Sequence, residues 1–125
     1  MKNIIKSAIL TASLVVAGAA VADDERPSHF RGLAAPDLNT AVVNFSEYNN
    51  RLEKVLAGEE LTDADLAAIH ELSYTLENAL EKINIDLDEL AEVLEKIHIA
   101  SETANRDVLK EAGPVYLNTA RTVIK

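Results

Sequence analysis

Residues 66–108 read LAAIHELSYTLENALEKINIDLDELAEVLEKIHIASETANRDV. Two runs of apolar or small side chains recur in it at alternating steps of three and four. The first is Leu66, Ile69, Ser73, Leu76, Leu80 and Ile83; the second is Leu87, Leu90, Leu94, Ile97, Ser101, Ala104 and Val108. Such steps place each run on one face of a helix. Between the runs lie Asn84, Ile85 and Asp86, and Asp86-Leu-Asp-Glu89 has the spelling of a helix-start capping pattern. The reading predicts two helices joined by a very short connection, hence an antiparallel hairpin. Its register sets Ile83 against Leu90, Leu80 against Leu94, Leu76 against Ile97, Ser73 against Ser101, Ile69 against Ala104 and Leu66 against Val108. Packing of that regularity is coiled-coil-like.

Upstream, Leu38, Val42, Phe45, Leu52 and Leu56 form a further helical stripe, flanked by Ala41, Tyr48 and Val55. That helix starts at Pro36 or Asp37 and stops at Ala57-Gly58. Thr62-Asp-Ala-Asp65 resembles a capping box and starts the next helix. Downstream, Gly113-Pro114 ends or kinks the third helix, and Val115 to Ile124 has room for a short fourth. Residues 23–36, DDERPSHFRGLAAP, hold two of the three prolines and keep no sustained period. They read as an extended arm lying against the domain, with Phe30 plugging a bundle edge and Arg26 and Arg31 meeting its acidic surface. The expected fold is therefore all-α: an antiparallel three-helix bundle with a short C-terminal helix and an extended N-terminal arm. The bundle domain covers 37–125.

The first 22 residues read as a secretory leader. Lys2 and Lys6 precede an uncharged apolar run over 7–21, and Ala20-Val21-Ala22 supplies the small residues of a cleavage site. The run is short for a membrane span of about 20 residues. Cleavage after Ala22 and a periplasmic location are expected, with no membrane anchor left after cleavage. No cysteine occurs in the chain, which removes a lipid anchor, a disulfide framework, thiolate metal sites and thioether haem attachment. Twelve basic residues against 21 acidic ones give a formal net charge of -9, and the leader carries off two of the basic ones. A chain so acidic argues against nucleic acid and anionic lipid as partners. Hydrophobic residues at 48% place it among globular chains, and 125 residues make about one domain.

Candidate site residues follow from the expected hairpin. One flank carries Leu72, Ala79, Val93 and Ala100, which suits helix 1. The other carries His70, Glu77, Ala91 and His98, with Glu77 facing His98 across the hairpin. Ser73 and Ser101 form a polar layer at one level, edged by Tyr74, where small side chains leave room for a ligand. Glu95-Lys-Ile-His98 has the spacing that lets a carboxylate and an imidazole reach one metal from one helix face, but a di-metal bundle uses that motif twice. His98, Glu95 and His70 are therefore metal candidates only in an alternative reading. Acidic groups at Glu59, Glu60, Asp63 and Asp65 lack the spacing and glycine of a calcium loop. No hydrolase triad, phosphate loop or dinucleotide fingerprint occurs, so no enzyme is expected and no cofactor is assigned.

At ERPSHF (25–30), IHELSYTLENAL (69–80) and LEKIHIASE (94–102) the chain resembles an uncharacterised family of small secreted bacterial helical proteins. The resemblance covers nearly all of the exported chain. It implies a location and a helical fold, and no chemistry. Periplasmic four-helix cytochromes share the size but need a methionine and histidine, or Cys-x-x-Cys-His; the single methionine here is Met1.

These observations point to a non-enzymatic periplasmic binding or interaction module, acting through the His70/Glu77/His98 flank and the arm. Its partner is an unidentified protein or small molecule. Coiled-coil-like stripes close within one chain or between two, so a homodimer is an open alternative. The competing reading is a metal- or haem-binding bundle using His98, His70 and Glu77.

Overall fold

The computed structural model describes residues 30–124; the expected leader, the cleavage point and Arg26 lie outside them. Among the described residues the protein is all-helical, with three helices packed against one another and no strand. They are α1 (Leu38–Leu56), α2 (Asp63–Glu102) and α3 (Arg106–Val123).

The first two helix starts follow the sequence chemistry. Asp37 caps α1: the Thr40 N–H donates to its Oδ1 at 2.8 Å, and the Thr40 hydroxyl donates to its Oδ2 at 3.1 Å. Thr62 and Asp65 form a complete capping box at α2, with the Asp65 N–H on the Thr62 hydroxyl and the Thr62 N–H on the Asp65 carboxylate. Each cap satisfies amides that the first helical turn leaves unpaired.

The expected turn at Asn84, Ile85 and Asp86 does not exist. α2 is one helix of 40 residues that runs straight through it, about 60 Å long. Nothing there breaks a helix, since neither glycine nor proline intervenes. Asp86 caps nothing: it takes a 3.1 Å contact from Lys82 one turn earlier on the same helix. The step from Ile83 to Leu87 is itself four, so the two apolar runs are one stripe. The expected hairpin, and with it every pairing in its register, is thereby corrected.

The break comes later. α2 ends at Glu102 with Thr103 as its C-cap, and Ala104 takes a left-handed backbone, φ 52°. The Asn105 N–H reaches back to the Ala100 carbonyl at 2.8 Å and the Ala104 N–H to that of Ser101 at 3.4 Å. These are the two bonds of a Schellman motif, built here on alanine in place of glycine. Asn105 then caps α3 through the Val108 N–H at 3.3 Å. α3 carries Pro114 inside it, so the short fourth helix expected after Gly113-Pro114 merges with the end of the third. Exposed proline in a helix removes one ladder bond without forcing a stop.

Packing centres on small residues. Ala41 and Ala79 are fully buried against each other's helix, with Ile83 beside them and Ala35, Leu38, Val42 and Phe45 around them. Tyr48, Arg51 and Val55 share a groove with Ala68, Leu72 and Thr75. The start of α1 thus meets the middle of α2, and its end meets the beginning of α2. Along the second half of α2, Val93 and Lys96 meet Val108, Ala112 and Val115 of α3. The apolar flank expected to take helix 1 is shared. Leu72 and Ala79 lie in the half of α2 that takes α1, whereas Val93 and Ala100 lie in the half that takes α3, because α2 runs on where the expected hairpin would fold them together.

Candidate functional site

Two features of α2 stand out once the core is assigned. The first is the seat of residues 30–35, which form no helix. The Leu33 N–H donates to Thr75 Oγ1 at 2.9 Å, and Thr75 is 2% exposed. The Asn78 amide donates to the carbonyls of Arg31, at 2.8 Å, and Leu33, at 3.0 Å. From α1, the Asn44 amide donates to the Ala34 carbonyl at 3.3 Å. Three side chains from two helices therefore supply the partners that an irregular backbone segment needs when it is laid on a protein surface. Gly32 crosses the helix at φ 69°, and a Cβ built there would lie 2.5 Å from the Thr75 amide nitrogen and 2.7 Å from the Tyr74 carbonyl carbon. Glycine is required twice, by conformation and by space.

Tyr74 is buried beside this strap, and its hydroxyl lies 3.2 Å from His70 Nε2, with the rings edge to face at 5.1 Å. Of the residues singled out from the sequence, these two are brought together, being one turn apart. The others are not. His70 and His98 stand 28 residues apart on one helix, about 42 Å, and so do Ser73 and Ser101. Glu77 and His98 are separated by about 31 Å. The polar layer and the Glu77–His98 contact expected from the hairpin are corrected accordingly. Ser73 donates to the Ile69 carbonyl at 2.7 Å and Ser101 to that of His98 at 2.6 Å, each within its own helix. His98 meets Glu102 at 3.4 Å on an exposed face. Glu95 shares an exposed stretch with it. No group of three or more metal-ligating side chains is gathered among the described residues.

Asn44, Thr75 and Asn78 escaped the sequence reading. Their signal was present: an amide or hydroxyl on the inner side of two helices, with a proline-bearing segment upstream lacking backbone partners. The electrostatics of the region are those of caps. The Thr40 backbone and hydroxyl bonds hold the Asp37 carboxyl below its ordinary 3.8, and the Thr62 hydroxyl and amide do the same for Asp65.

The second feature is a stripe left bare. Leu66, Ser73, Leu80, Leu87, Leu94 and Ser101 recur every seven residues along α2. Leu66 is 54% exposed, Leu80 44%, Leu87 38% and Leu94 45%. α1 and α3 cover a different side of α2, the one holding Leu72, Thr75, Ala79 and Ala100, and the strap covers Tyr74 and Asn78. The stripe runs about 52 Å from Leu66 to Ser101. Single exposed leucines are ordinary; four at heptad spacing along one helix form a candidate interaction surface.

The chain belongs to DUF6746, a family of unknown function whose model matches residues 1–125. No curated protein and no solved structure matches it. No helix among the described residues is long and apolar enough to cross a membrane.

Proposed function

We propose that this protein is a non-enzymatic binding module of the periplasm, an antiparallel helical bundle that engages a partner through the bare stripe of α2. The observation that carries the reading is the exposure of Leu66, Leu80, Leu87 and Leu94 at heptad spacing on one 40-residue helix. A coiled-coil seam is built of side chains at this spacing, and burying such a side chain fully contributes about 1.5–3 kcal/mol. The location rests on the leader spelled by residues 1–22. His70 and Glu77 lie along the border of the stripe in its first half and His98 in its second, where they would contact whatever covers it. With the two histidines about 42 Å apart on one helix, a metal or haem shared by both within one chain is not the reading advanced.

The test is a photo-crosslinking amino acid placed at Ala91, beside the stripe, and as a control at Asn39 on α1. Expression is in the full chain with its own leader. Adducts from Ala91 and none from Asn39 support the reading. A chain that gives no adduct at Ala91 overturns it.

A further inference from the structure

We infer that the occupant of the stripe is a second copy of this chain, laid antiparallel on α2 about a two-fold axis near Leu87. The inference deepens the binding-module reading and rests on it.

Three observations converge. First, the stripe from Ser73 to Ser101 is self-complementary about that point, with Leu66 lying beyond the part that pairs. From Ser73 to Ser101 it reads Ser, Leu, Leu, Leu, Ser with Leu87 at the centre. An antiparallel copy therefore sets Leu80 near the partner's Leu94, Leu87 near the partner's Leu87, and Ser73 near the partner's Ser101. A two-fold contact uses one patch on both subunits, so such a patch must match its own inverse. Second, the cover on α2 is divided. α1 lies along the first half and α3 along the second. An antiparallel copy brings each α1 alongside the partner's α3, so the bundle continues across the axis.

Third, charge selects the direction. The turn before α2 and its first residues carry Glu59, Glu60, Asp63 and Asp65, all toward one end. A parallel copy would set these eight carboxylates side by side. The antiparallel copy moves each cluster to the opposite end of the pair, past the end of the partner's α2 and far from the partner's own cluster. Like charges brought together disfavour the parallel arrangement, and the antiparallel one separates them.

The experiment uses the chain as exported, and the absence of native cysteine makes site labelling clean. Sedimentation velocity over a concentration series reads the mass, and spin labels at Ala67→Cys or Asp88→Cys, both exposed positions, read the geometry. The expected result is a dimer in which the two labels at position 88 sit about 20 Å apart, the interhelical spacing plus label arms. The two labels at position 67 should sit about 60 Å apart. Leu80→Glu with Leu94→Glu should weaken dimerisation at least about a hundred-fold, since each carboxylate would be buried without a partner, while helicity by circular dichroism is kept. Should that variant fail to fold, the labels on the otherwise unaltered chain still decide.

A chain monomeric throughout the series overturns the inference, as does a short distance at position 67. A monomer whose stripe crosslinks a different protein at Ala91 sinks the second copy and leaves the binding module standing. A monomer that gives no adduct sinks both.

Discussion

The missing Cβ of Gly32 points at the backbone of Thr75: a methyl there would stand 2.5 Å from the Thr75 amide nitrogen. The same threonine accepts the Leu33 N–H on its hydroxyl. One residue of the strap thus has to be glycine because the next is bonded to the helix underneath. Gly32→Ala should lift the strap or push it outward. The left-handed φ costs alanine about 1–2 kcal/mol, and the clash with backbone costs about 1–3 more. Urea unfolding should show a loss in that summed range, and hydrogen exchange at the Leu33 amide should accelerate. Thr75→Val keeps the shape and orphans the same N–H, for a loss of about 1–2 kcal/mol.

Ala79 tests the closeness of α1 and α2. It is fully buried where Ala41 approaches it. Ala79→Leu inserts a branched side chain where only a methyl fits, and should cost about 1–3 kcal/mol in urea unfolding, more if α1 cannot move aside. The same substitution at exposed Ala67 should change stability by less than about 0.5 kcal/mol.

Ala104 offers a gain. It holds a left-handed turn that glycine adopts without strain. Ala104→Gly should stabilise the chain by about 1 kcal/mol, the αL penalty less the backbone entropy glycine adds to the unfolded state. A rise in the urea midpoint with an unchanged slope is the expected signature.

The two caps give a pH dependence of known sign. Asp37 and Asp65 both have folded pKa values below 3.8. A depressed carboxylate contributes stability that is present above its unfolded pKa and is lost as pH falls through its folded pKa. Helicity should hold from neutrality to about pH 4, where the unfolded carboxyls titrate, and decline below it. Asp37→Asn with Asp65→Asn retains capping side chains that do not titrate. Circular dichroism of that variant should fall less steeply between pH 4 and pH 2.

Part of this structure could be read from the residues alone, and the reasons divide cleanly. Asp37 and the Thr62–Asp65 box are local chemistry, so both helix starts were legible, as was the stop near Gly58. The false turn at residues 84–86 has a different origin. The stripe from Ser73 to Ser101 reads the same in both directions about Leu87, so a turn placed there folds it back into good register. The match of Leu80 with Leu94 carried no information about where the chain turns. What the register described was self-complementarity, which two copies satisfy as well as one hairpin. The true break at Ala104 lacked glycine and proline, and its signal was Asn105, a good cap. Pro114 drew the boundary to the wrong place because an exposed helix tolerates it. The absence of helix over residues 30–35 agrees with the irregular composition there, whereas the partners Asn44, Thr75 and Asn78 required the tertiary geometry.

Everything proposed for the stripe depends on α2 being one helix. Spin labels at Ala67→Cys and Glu95→Cys in a single chain measure this directly, with labelled protein diluted into excess unlabelled protein so that only distances within one chain are read. The sites lie 28 residues apart on a continuous helix, and the account predicts about 42 Å, broadened by the label arms. A hairpin turning at residues 84–86 would set them within about 20 Å of each other, and that result would contradict the account.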